Sequence, residues 1–488
     1  MGENRHIISF VFLEKFDIRV SMKRFDLAQT LDHYRGKNFE LHSQYINPAF
    51  AKVLKIIGFD RFYASGKGQY LVDQQGNQYL DFLAGYGVFN LGRNHPYVND
   101  ALTQLLEMDF PNLVKMHASE LAGVLAKMLV EKTPGRHEKR VYFGSSGSEA
   151  VETALKFCRA ATGRHKTLYL KGSYHGLTYG SLSVTADHHF RDGFGPLLPE
   201  SKAIERNDMK ALEQELSTKQ YSCFIVEPIQ GKGVYVLDDS YLMYAKELCE
   251  RYGTYFVADE IQTGMGRSGK FLAIDYSEVI PDLVLLSKSL SGGQVPVSAV
   301  IGKAEIFDRV FSSLDRCVVH SNTFSQNAMA MVAGIASLQV LENDALIENS
   351  FQMGQLLKNE LIARIDRFEL MSTVRGRGLL LAIEFGRPKS LKLKLGWDLL
   401  HKADQGLFSQ AIVMPLMDEH YILTQVAGHE MDVIKLSPPL CLNQKDVERF
   451  LASFDQVMED CHRFPGPIWD VGSRLIKHSL KKEMTQPA

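Results

Sequence analysis

In the middle of the chain, short apolar runs alternate with stretches of helical period, and this alternation restricts the possible folds more than any other feature of the sequence. Four of the five runs are bounded on at least one side by Gly, Asp, Glu or Ser, and the runs are mostly apolar, as expected of strands buried on both faces. The runs cover residues 141–143, 167–170, 223–226, 255–258 and 283–286. Helical stripes lie between several of them, for example Val151, Leu155 and Cys158. Strands and helices in alternation predict an α/β domain with a largely parallel sheet.

The length of the chain allows more than one domain. Its 488 residues correspond to about three domains of roughly 150 residues each. We expect an N-terminal segment over residues 1–75 that contributes to a small domain, a large α/β domain over 76–345, and a C-terminal small α+β domain over 346–488. The hydrophobic share of 45% and the charged share of 23% are typical of globular proteins and argue against a disordered or collagen-like chain.

Charge and cysteine spacing argue against several kinds of partner. Lys and Arg number 55 against 57 Asp and Glu, so there is no basic excess to neutralise nucleic-acid phosphates. The six cysteines lack the short spacings of zinc sites and dithiol motifs, which favours reduced thiols and no metal. The apolar run 7–13 is too short for a signal peptide, and the run 328–341 is interrupted by polar residues. We therefore expect a cytoplasmic protein that binds neither nucleic acid nor membrane.

A turn rich in glycine and serine follows the apolar run 141–143 and opens a helix. It contains Gly144, Ser145, Ser146, Gly147, Ser148 and Glu149. Free backbone amides and the positive end of the helix dipole suit a phosphate group there, and the serine hydroxyls add donors. The alternative is that Ser146 to Glu149 is a capping box that only starts the helix.

Two charged residues follow other apolar runs. Asp259 comes directly after the run 255–258, and a carboxylate at the end of a buried strand needs a cation or several donors opposite it. A helix N-cap or a pair with Arg267 is the alternative for Asp259. Lys288 follows the run 283–286, and an amine that emerges from a hydrophobic strand can lose its proton by desolvation and become a nucleophile. The alternative for Lys288 is an ordinary solvated lysine.

One cofactor explains all three features together. Pyridoxal phosphate needs a lysine that binds it covalently, a carboxylate that keeps its pyridine nitrogen protonated, and donors for its phosphate. The sequence offers Lys288, Asp259 and the turn around Gly147 for these three tasks.

With these residues, the chain resembles the class III aminotransferases, the pyridoxal-phosphate family that includes the ornithine, acetylornithine, 4-aminobutyrate and putrescine enzymes. The resemblance extends over about residues 68–439 and is strongest in Glu227 to Gly231 and from Asp259 through Arg267 to Lys288. It implies an α/β fold of the fold-type-I transferases, in which a mostly parallel central sheet has helices on both faces and a smaller α+β domain is added. It also implies a homodimer with active sites at the interface.

The resemblance also implies roles for individual residues. Lys288 would bind the cofactor and then move a proton as general acid and base, and Asp259 would hold the pyridinium proton. The other residues expected to bind the cofactor are Ser146, Gly147 and Ser148 at the phosphate, Tyr174 on the ring face, Glu227, Gln262 at the phenolic oxygen, and Thr323 from a second subunit. Alternatively, Tyr174 is an ordinary core aromatic, Gln262 a loop amide and Thr323 a helix cap. His175 is as readily a core histidine as a functional one.

Arg375 matches the family's arginine that binds the substrate carboxylate, a task suited to a planar fork of donors. A glycine turn with solvated arginines is the alternative. Many members that handle two substrates carry a glutamate two residues after the glutamine of the Glu-Pro-Ile-Gln segment, and this glutamate can pair with the arginine. This chain has Lys232 there, which cannot pair with Arg375. The turn around Ser146 also differs from the family pattern, because this chain has Gly144 and Ser145 where asparagine is frequent in the family.

The expected function is therefore an aminotransferase that moves an amino group between a primary amine or ω-amino compound, putrescine-like or ornithine-like, and a 2-oxo acid in two half-reactions. Another pyridoxal-phosphate reaction, such as that of an aminomutase, racemase or decarboxylase, is one alternative. A catalytically silent binding protein with this fold is a second. An NAD-dependent oxidoreductase is disfavoured because Gly85, Gly87 and Gly92 lack the spacing of a dinucleotide fingerprint.

Overall fold

The structure is a computed structural model that describes residues 25–114, 116–403, 406–428, 431–463, 465, 466 and 469. The described residues up to Lys55 and those from Ile56 onward form two separate compact units. Helix α1 in the first unit starts at an aspartate cap, where Asp26 accepts a hydrogen bond from the Gln29 amide at 2.9 Å.

The helices and strands are as follows. The described strands are β1 (Tyr63–Lys67), β2 (Tyr70–Asp73), β3 (Gln78–Asp81), β4 (Lys139–Gly144), β5 (Lys166–Leu170), β6 (Ser201–Ile204), β7 (Tyr221–Val226), β8 (Ile229–Gln230), β9 (Tyr235–Val236), β10 (Tyr255–Asp259), β11 (Leu283–Leu286), β12 (Ser298–Lys303), β13 (Met371–Arg377), β14 (Leu380–Phe385), β15 (Ile422–Leu423), β16 (Gln425–Val426) and β17 (Val433–Leu436). The described helices are α1 (Leu27–Tyr34), α2 (Asn38–Tyr45), α3 (Pro48–Ile56), α4 (Ala84–Gly87), α5 (Pro96–Glu107), α6 (Glu120–Lys132), α7 (Gly147–Thr162), α8 (Tyr179–Ser183), α9 (His188–Arg191), α10 (Met209–Leu216), α11 (Asp239–Tyr252), α12 (Ala304–Val310), α13 (Ala328–Asn343), α14 (Leu346–Ala363), α15 (Leu391–Ala403), α16 (Leu407–Asp418) and α17 (Gln444–Cys461).

The central sheet has seven strands in the order β4-β12-β11-β10-β7-β5-β6. Strand β12 runs antiparallel to both of its neighbours, whereas the pairs from β11 to β6 are parallel. All five apolar runs singled out in the sequence lie in strands of this sheet. The predicted mostly parallel sheet of an α/β fold is therefore confirmed, with one antiparallel strand inserted.

Helices cover both faces of this sheet, which explains why its strands are apolar without alternation. On one face, Cys223, Ile225 and Val257 pack in a cluster with residues of α7 and α12. On the other face, their neighbours Phe224 and Phe256 belong to the larger core that includes residues of α6, α11 and α13. Successive side chains of a strand point to opposite faces, so each run must be largely apolar on both faces.

Two four-stranded sheets and the two-stranded antiparallel sheet β8-β9 accompany the central sheet in the second unit. The antiparallel sheet β13-β14-β17-β16 lies in the C-terminal part of the chain, and β1, β2 and β3 form a hairpin sheet to which β15 adds in parallel. Strands β2 and β3 are antiparallel and form a hairpin with Gly76 in the turn between them. The mixed helix and strand content after residue 345 agrees with a smaller α+β part, whereas the domain boundaries given above remain predictions.

All six cysteines lie in the described part of the chain and are free thiols, in agreement with the predicted reduced state. Within the described residues, no single helix is long and apolar enough to cross a membrane. The helices α13 and α14 meet that requirement only as a pair with a 59° bend between them.

Candidate functional site

Asp259 and Lys288 emerge from adjacent strands at the same edge of the central sheet. Strands β10 and β11 are parallel, with Asp259 opposite Leu285, and Lys288 follows β11 by two residues. The carboxyl ends of parallel strands are the usual place for a ligand in such sheets. The backbone of Lys288 has a φ of 40°, a conformation that costs a non-glycine residue of the order of 1–3 kcal/mol and is concentrated at functional sites.

The environment of Lys288 favours a neutral amine. Burial lowers the pKa of Lys288 below its ordinary value, while the nearby carboxylates of Asp259 and Glu227 oppose the shift only in part. A neutral lysine amine is the form that attacks a carbonyl carbon.

Asp259 forms a buried pair with His175. The Asp259 carboxylate lies 2.6 Å from Nδ1 of His175, and the two residues are 3% and 2% exposed. Burial lowers the pKa of His175, but the hydrogen bond and the charge of Asp259 outweigh it, so the net shift is upward. The alternative of a pair with Arg267 is wrong, because that guanidinium donates to Asn90 and to backbone carbonyls.

Glu227 ties two loops together beside this pair. Its carboxylate accepts from the Tyr174 amide at 2.9 Å and from the Gly231 amide at 2.8 Å. Burial raises the pKa of Glu227, although the two amide donors act against this. Tyr174 itself is 37% exposed, so it is not an ordinary core aromatic.

Gln262 also lies beside Gly231. Its Nε2 donates to the carbonyl of Tyr86 at 3.0 Å. A β-carbon at position 231 would approach Oε1 of Gln262 to 2.0 Å, so a side chain at position 231 would require Gln262 to move. Gly231 thus allows Glu227 and Gln262 to approach the same short stretch of backbone.

The turn before α7 is both a helix cap and a candidate anion site. Ser146 is the N-cap and its hydroxyl accepts from the Glu149 amide at 3.2 Å, whereas the Glu149 carboxylate accepts from the Ser145 amide at 2.6 Å. Ser146 therefore caps the helix, but the two residues do not form the expected capping box, because Glu149 accepts from the amide of Ser145 and not from that of Ser146. The amides of Gly147 and Ser148 belong to the first turn, where a helix provides no acceptor, so they stay available to an anion.

Thr323 lies in the loop before α13. Its side chain is exposed, and it does not cap α13, whose N-cap is Asn327. The neighbouring Asn322 donates to the hydroxyl of Ser145 at 3.1 Å. The helix-cap alternative for Thr323 is therefore wrong.

Arg375 is engaged by other groups of the chain. It lies on β13, and its guanidinium donates to the Gly233 carbonyl at 3.0 and 2.7 Å and to the Glu384 carboxylate. It also lies 4.2 Å from the ring of Tyr235. The alternative of a solvated arginine is therefore wrong. Lys232 does not pair with Arg375, as expected, and pairs with Asp187 instead.

Sequence reasoning missed two residues of this region. Glu384 supplies the carboxylate that pairs with Arg375, and only the antiparallel register of β13 and β14 brings them together. Lys435 is 5% exposed, and its Nζ donates to the Gly231 carbonyl at 3.1 Å. The signal that could have identified it is a lysine inside the otherwise apolar strand Val433–Leu436.

A cavity of about 440 Å³ opens near these loops. It is lined by Gly172, Asp187, Arg206, Lys232 and Tyr235 among others. Three of these residues lie close in sequence to Tyr174, His175 and Gly231, so the cavity is a candidate chamber for a substrate. The described residues contain no cluster of His, Cys, Asp and Glu suited to a metal ion.

The residues at this edge fit pyridoxal phosphate. A lysine amine at Lys288 whose pKa is lowered by burial, a buried carboxylate at Asp259 and free amides at Gly147 and Ser148 are the three kinds of group that this cofactor requires.

Known proteins agree with this arrangement. The family profile of the class III aminotransferases matches residues 57–458. Aminotransferase PigE of Serratia sp. is 32% identical over 465 residues, a match that covers 89% of this chain, which spans only 54% of PigE. An uncharacterized aminotransferase of Schizosaccharomyces pombe is 30% identical over 414 residues, covering 83% of this chain and 84% of that protein.

Among solved structures, an ornithine aminotransferase of Toxoplasma gondii with partial occupancy of PLP at its active site is 29% identical, with a TM-score of 0.78. The match covers 90% of this chain and 100% of that one. The chain therefore belongs to the class III aminotransferases, a pyridoxal-phosphate-dependent family with the fold-type-I architecture.

Proposed function

We propose that this aminotransferase transfers an amino group from a primary amine or ω-amino compound, putrescine-like or ornithine-like, to a 2-oxo acid in two successive half-reactions. The ornithine aminotransferase among the similar structures supports an ω-amino substrate. The single observation that carries the proposal is the pairing of adjacent strand ends, which bring a desolvated Lys288 and a buried Asp259 to one edge of the sheet.

In this proposal, the residues divide the work as follows. Lys288 would hold the cofactor and, once released, move a proton between the substrate carbon and the cofactor. Asp259, oriented by His175, would hold a proton at the pyridine nitrogen. Bound pyridoxal phosphate supplies an electron sink for the carbanion formed at the substrate. Tyr174 would lie on the face of the cofactor ring, Gln262 would bind its phenolic oxygen, and Glu227 would lie beside them.

The phosphate would bind at the start of α7. Ser146 caps this helix, and Gly147 and Ser148 offer backbone amides at the positive end of its dipole. We keep Arg375 as the proposed site for a substrate carboxylate, although it must then exchange Glu384 for the substrate.

Spectroscopy of single half-reactions tests the proposal. Purified protein loaded with pyridoxal phosphate is mixed with candidate donors in the absence of an acceptor, and the loss of the aldehyde-form absorbance is followed. We expect ω-amines to convert the cofactor and a 2-oxo acid to restore it. Lys288→Ala should abolish turnover while the circular dichroism spectrum is unchanged.

The same experiment separates the alternatives. An aminomutase, racemase or decarboxylase would release no stoichiometric oxo product from the donor. A silent binding protein would bind the cofactor without conversion by any donor. Either result would contradict the proposal.

We further propose a homodimer in which Thr323 completes the phosphate site of the other subunit. Its exposed side chain supports this arrangement, since among the described residues no hydrogen bond to it is found within the chain. Mixed dimers of the variants Lys288→Ala and Thr323→Glu test it. Such dimers would contain one site with both native residues and should regain activity, whereas recovery would be absent if Thr323 acted within its own chain. The cytoplasmic location stays a prediction.

A further inference from the structure

One guanidinium of the cavity described above has no acidic partner among the described residues. Arg206 follows β6 by two residues and lines the cavity, as do Lys171 and Lys232. The amine of Lys171 pairs with Glu205, and that of Lys232 is paired as described above. Asp192, a further carboxylate of the lining, is exposed, so water and salt screen its charge. Arg206 is therefore a half-buried cation whose charge no carboxylate balances directly.

The contacts of Arg206 leave part of its donor fork free. Its Nη1 donates to Oε1 of Gln230 at 2.9 Å. Gln230 is 0% exposed, and its Nε2 donates to the Lys171 carbonyl at 2.9 Å, so both ends of this amide are held. Among the described residues, Nε and Nη2 of Arg206 donate to no group. A guanidinium that is fixed by one nitrogen and free at two others can bind a carboxylate with paired hydrogen bonds.

A glycine makes room for the contact between Arg206 and Gln230. A β-carbon at position 172 would lie 3.2 Å from Nη1 of Arg206 and 3.0 Å from Oε1 of Gln230. Gly172 also has a φ of 77°, a conformation that is strained for a residue with a side chain. Gln230 directly precedes Gly231, whose amide binds Glu227. The contact therefore fixes Arg206 beside the segment that borders the candidate site.

Arg206 also lies close to Arg375, the residue proposed to bind a substrate carboxylate. Cζ of Arg206 is 3.7 Å from the ring centre of Tyr235, and Cζ of Arg375 is 4.2 Å from the same centre. The two guanidinium carbons are therefore no farther apart than the sum of these distances. The carboxyl carbons of a five-carbon diacid are about 5 Å apart, since four bonds of about 1.5 Å join them. With a hydrogen-bonded contact at each end, one such molecule is long enough to reach both guanidiniums.

We propose that Arg206 binds the distal carboxylate of a dicarboxylic 2-oxo acid, or of the corresponding amino acid, while Arg375 binds its first carboxylate. The inference rests on the proposed function, in which Arg375 is the first carboxylate site, and it names the chemical class of the acceptor. It also gives the two arginines different states in the free protein. Arg206 is open to a ligand, whereas Arg375 must first release Glu384.

Binding of unreactive analogues tests the inference without turnover. Glutarate has a carboxylate at each end of its chain, and valerate has a methyl group in place of one of them. Calorimetry measures both affinities in the cofactor-loaded protein. The variants are Arg206→Gln, which removes the charge and the fork, and Arg206→Lys, which keeps only the charge. The control Lys171→Gln also removes one positive charge from the lining, so a general electrostatic effect would appear in both glutamine variants.

The wild type should bind glutarate at least about tenfold more tightly than valerate, because charged hydrogen bonds strengthen its binding. Arg206→Gln should reduce this preference to about twofold or less, with unchanged affinity for valerate. Arg206→Lys should keep part of the preference, and Lys171→Gln should keep all of it. In steady-state kinetics, Arg206→Gln should raise the KM for 2-oxoglutarate about tenfold and leave the KM for pyruvate unchanged. Circular dichroism confirms that each variant is folded.

A preference for glutarate that persists in Arg206→Gln would overturn the proposal, as would a wild type that binds both acids equally. An equal loss of affinity for glutarate and valerate would also overturn it, because Arg206 would then bind the carboxylate that both acids share. If glutarate binding depended on Arg206 but no 2-oxo acid accepted an amino group, the proposed function alone would be wrong.

Discussion

At the residue scale, the site is built from buried charges that constrain one another. Asp259 is held by His175, Glu227 by two backbone amides, and Arg375 by Glu384. Each contact orients a group without leaving a buried charge bare, which would cost several kcal/mol. The residues proposed to bind the cofactor and substrate therefore depend electrostatically on the partners that orient them.

The pair of His175 and Asp259 makes the stability of the protein depend on pH. Because the pKa of His175 is raised in the folded state, its stabilising contribution is full below the unfolded value of about 6.5 and declines as the pH rises through the folded value. We expect His175→Gln to lower the melting temperature most below pH 6.5 and less at alkaline pH. Thermal unfolding of the wild type and this variant across a pH series measures the effect. The exposed His165→Gln should show no such dependence, and a pH-independent loss in His175→Gln would contradict the prediction.

The pair of Arg375 and Glu384 leads to a prediction about substrate binding. Glu384 competes with any carboxylate for the same guanidinium. Glu384→Gln should therefore lower the KM for a 2-oxo acid severalfold with little change in kcat, as steady-state kinetics would show. Glu360→Gln, which breaks the ion pair between Glu360 and Arg364, is the matched control. An unchanged KM in Glu384→Gln would show that Arg375 does not bind the substrate carboxylate.

At the scale of elements, the start of α7 combines a structural and a functional task. Ser146 caps the helix, and the same turn exposes the amides of Gly147 and Ser148. A cap fixes the first turn and thereby the direction of those amides. The two interpretations of this turn in the sequence are therefore compatible.

Comparison of two helix caps tests this combination. Ser146→Ala should cost about 1 kcal/mol of stability and also weaken the binding of pyridoxal phosphate. Ser119→Ala removes the cap of α6, where the hydroxyl accepts from the Ala122 amide at 3.3 Å, and should cost a similar amount without affecting the cofactor. Unfolding midpoints and cofactor titration separate the two effects. Equal cofactor affinity in both variants would show that the cap does not orient the phosphate site.

At the scale of the whole molecule, Arg267 joins distant parts of the second unit. Its side chain is 0% exposed and donates to the carbonyls of Leu379 and Pro438 and to Asn90. These partners are 112 to 177 residues away in sequence, and all are neutral. Burial lowers the pKa of Arg267 to about 9, so the guanidinium remains charged at neutral pH.

Loss of this side chain should affect the entire fold. Arg267→Met leaves three buried acceptors without donors, and we expect a loss of at least about 3 kcal/mol. Arg251→Met, at an exposed surface pair, should change stability by less than about 1 kcal/mol. Thermal melting and the yield of folded protein measure both. If Arg267→Met melted near the wild-type temperature, the hydrogen bonds of Arg267 to its neutral partners would not be needed for stability, and the prediction would be wrong.

The sequence by itself determined the central sheet and the main candidates of the site. Runs such as 223–226 and 255–258 are apolar at every position because both faces of the sheet are covered, and this pattern can be read without coordinates. Asp259 and Lys288 could be identified because burying a charge at the end of such a run costs free energy, so charges there usually serve a function. Only the tertiary structure decided the partners of these groups. Glu384 reaches Arg375, Lys435 reaches Gly231, and His175 reaches Asp259 through contacts between residues far apart in the chain, and no local pattern encodes such distances.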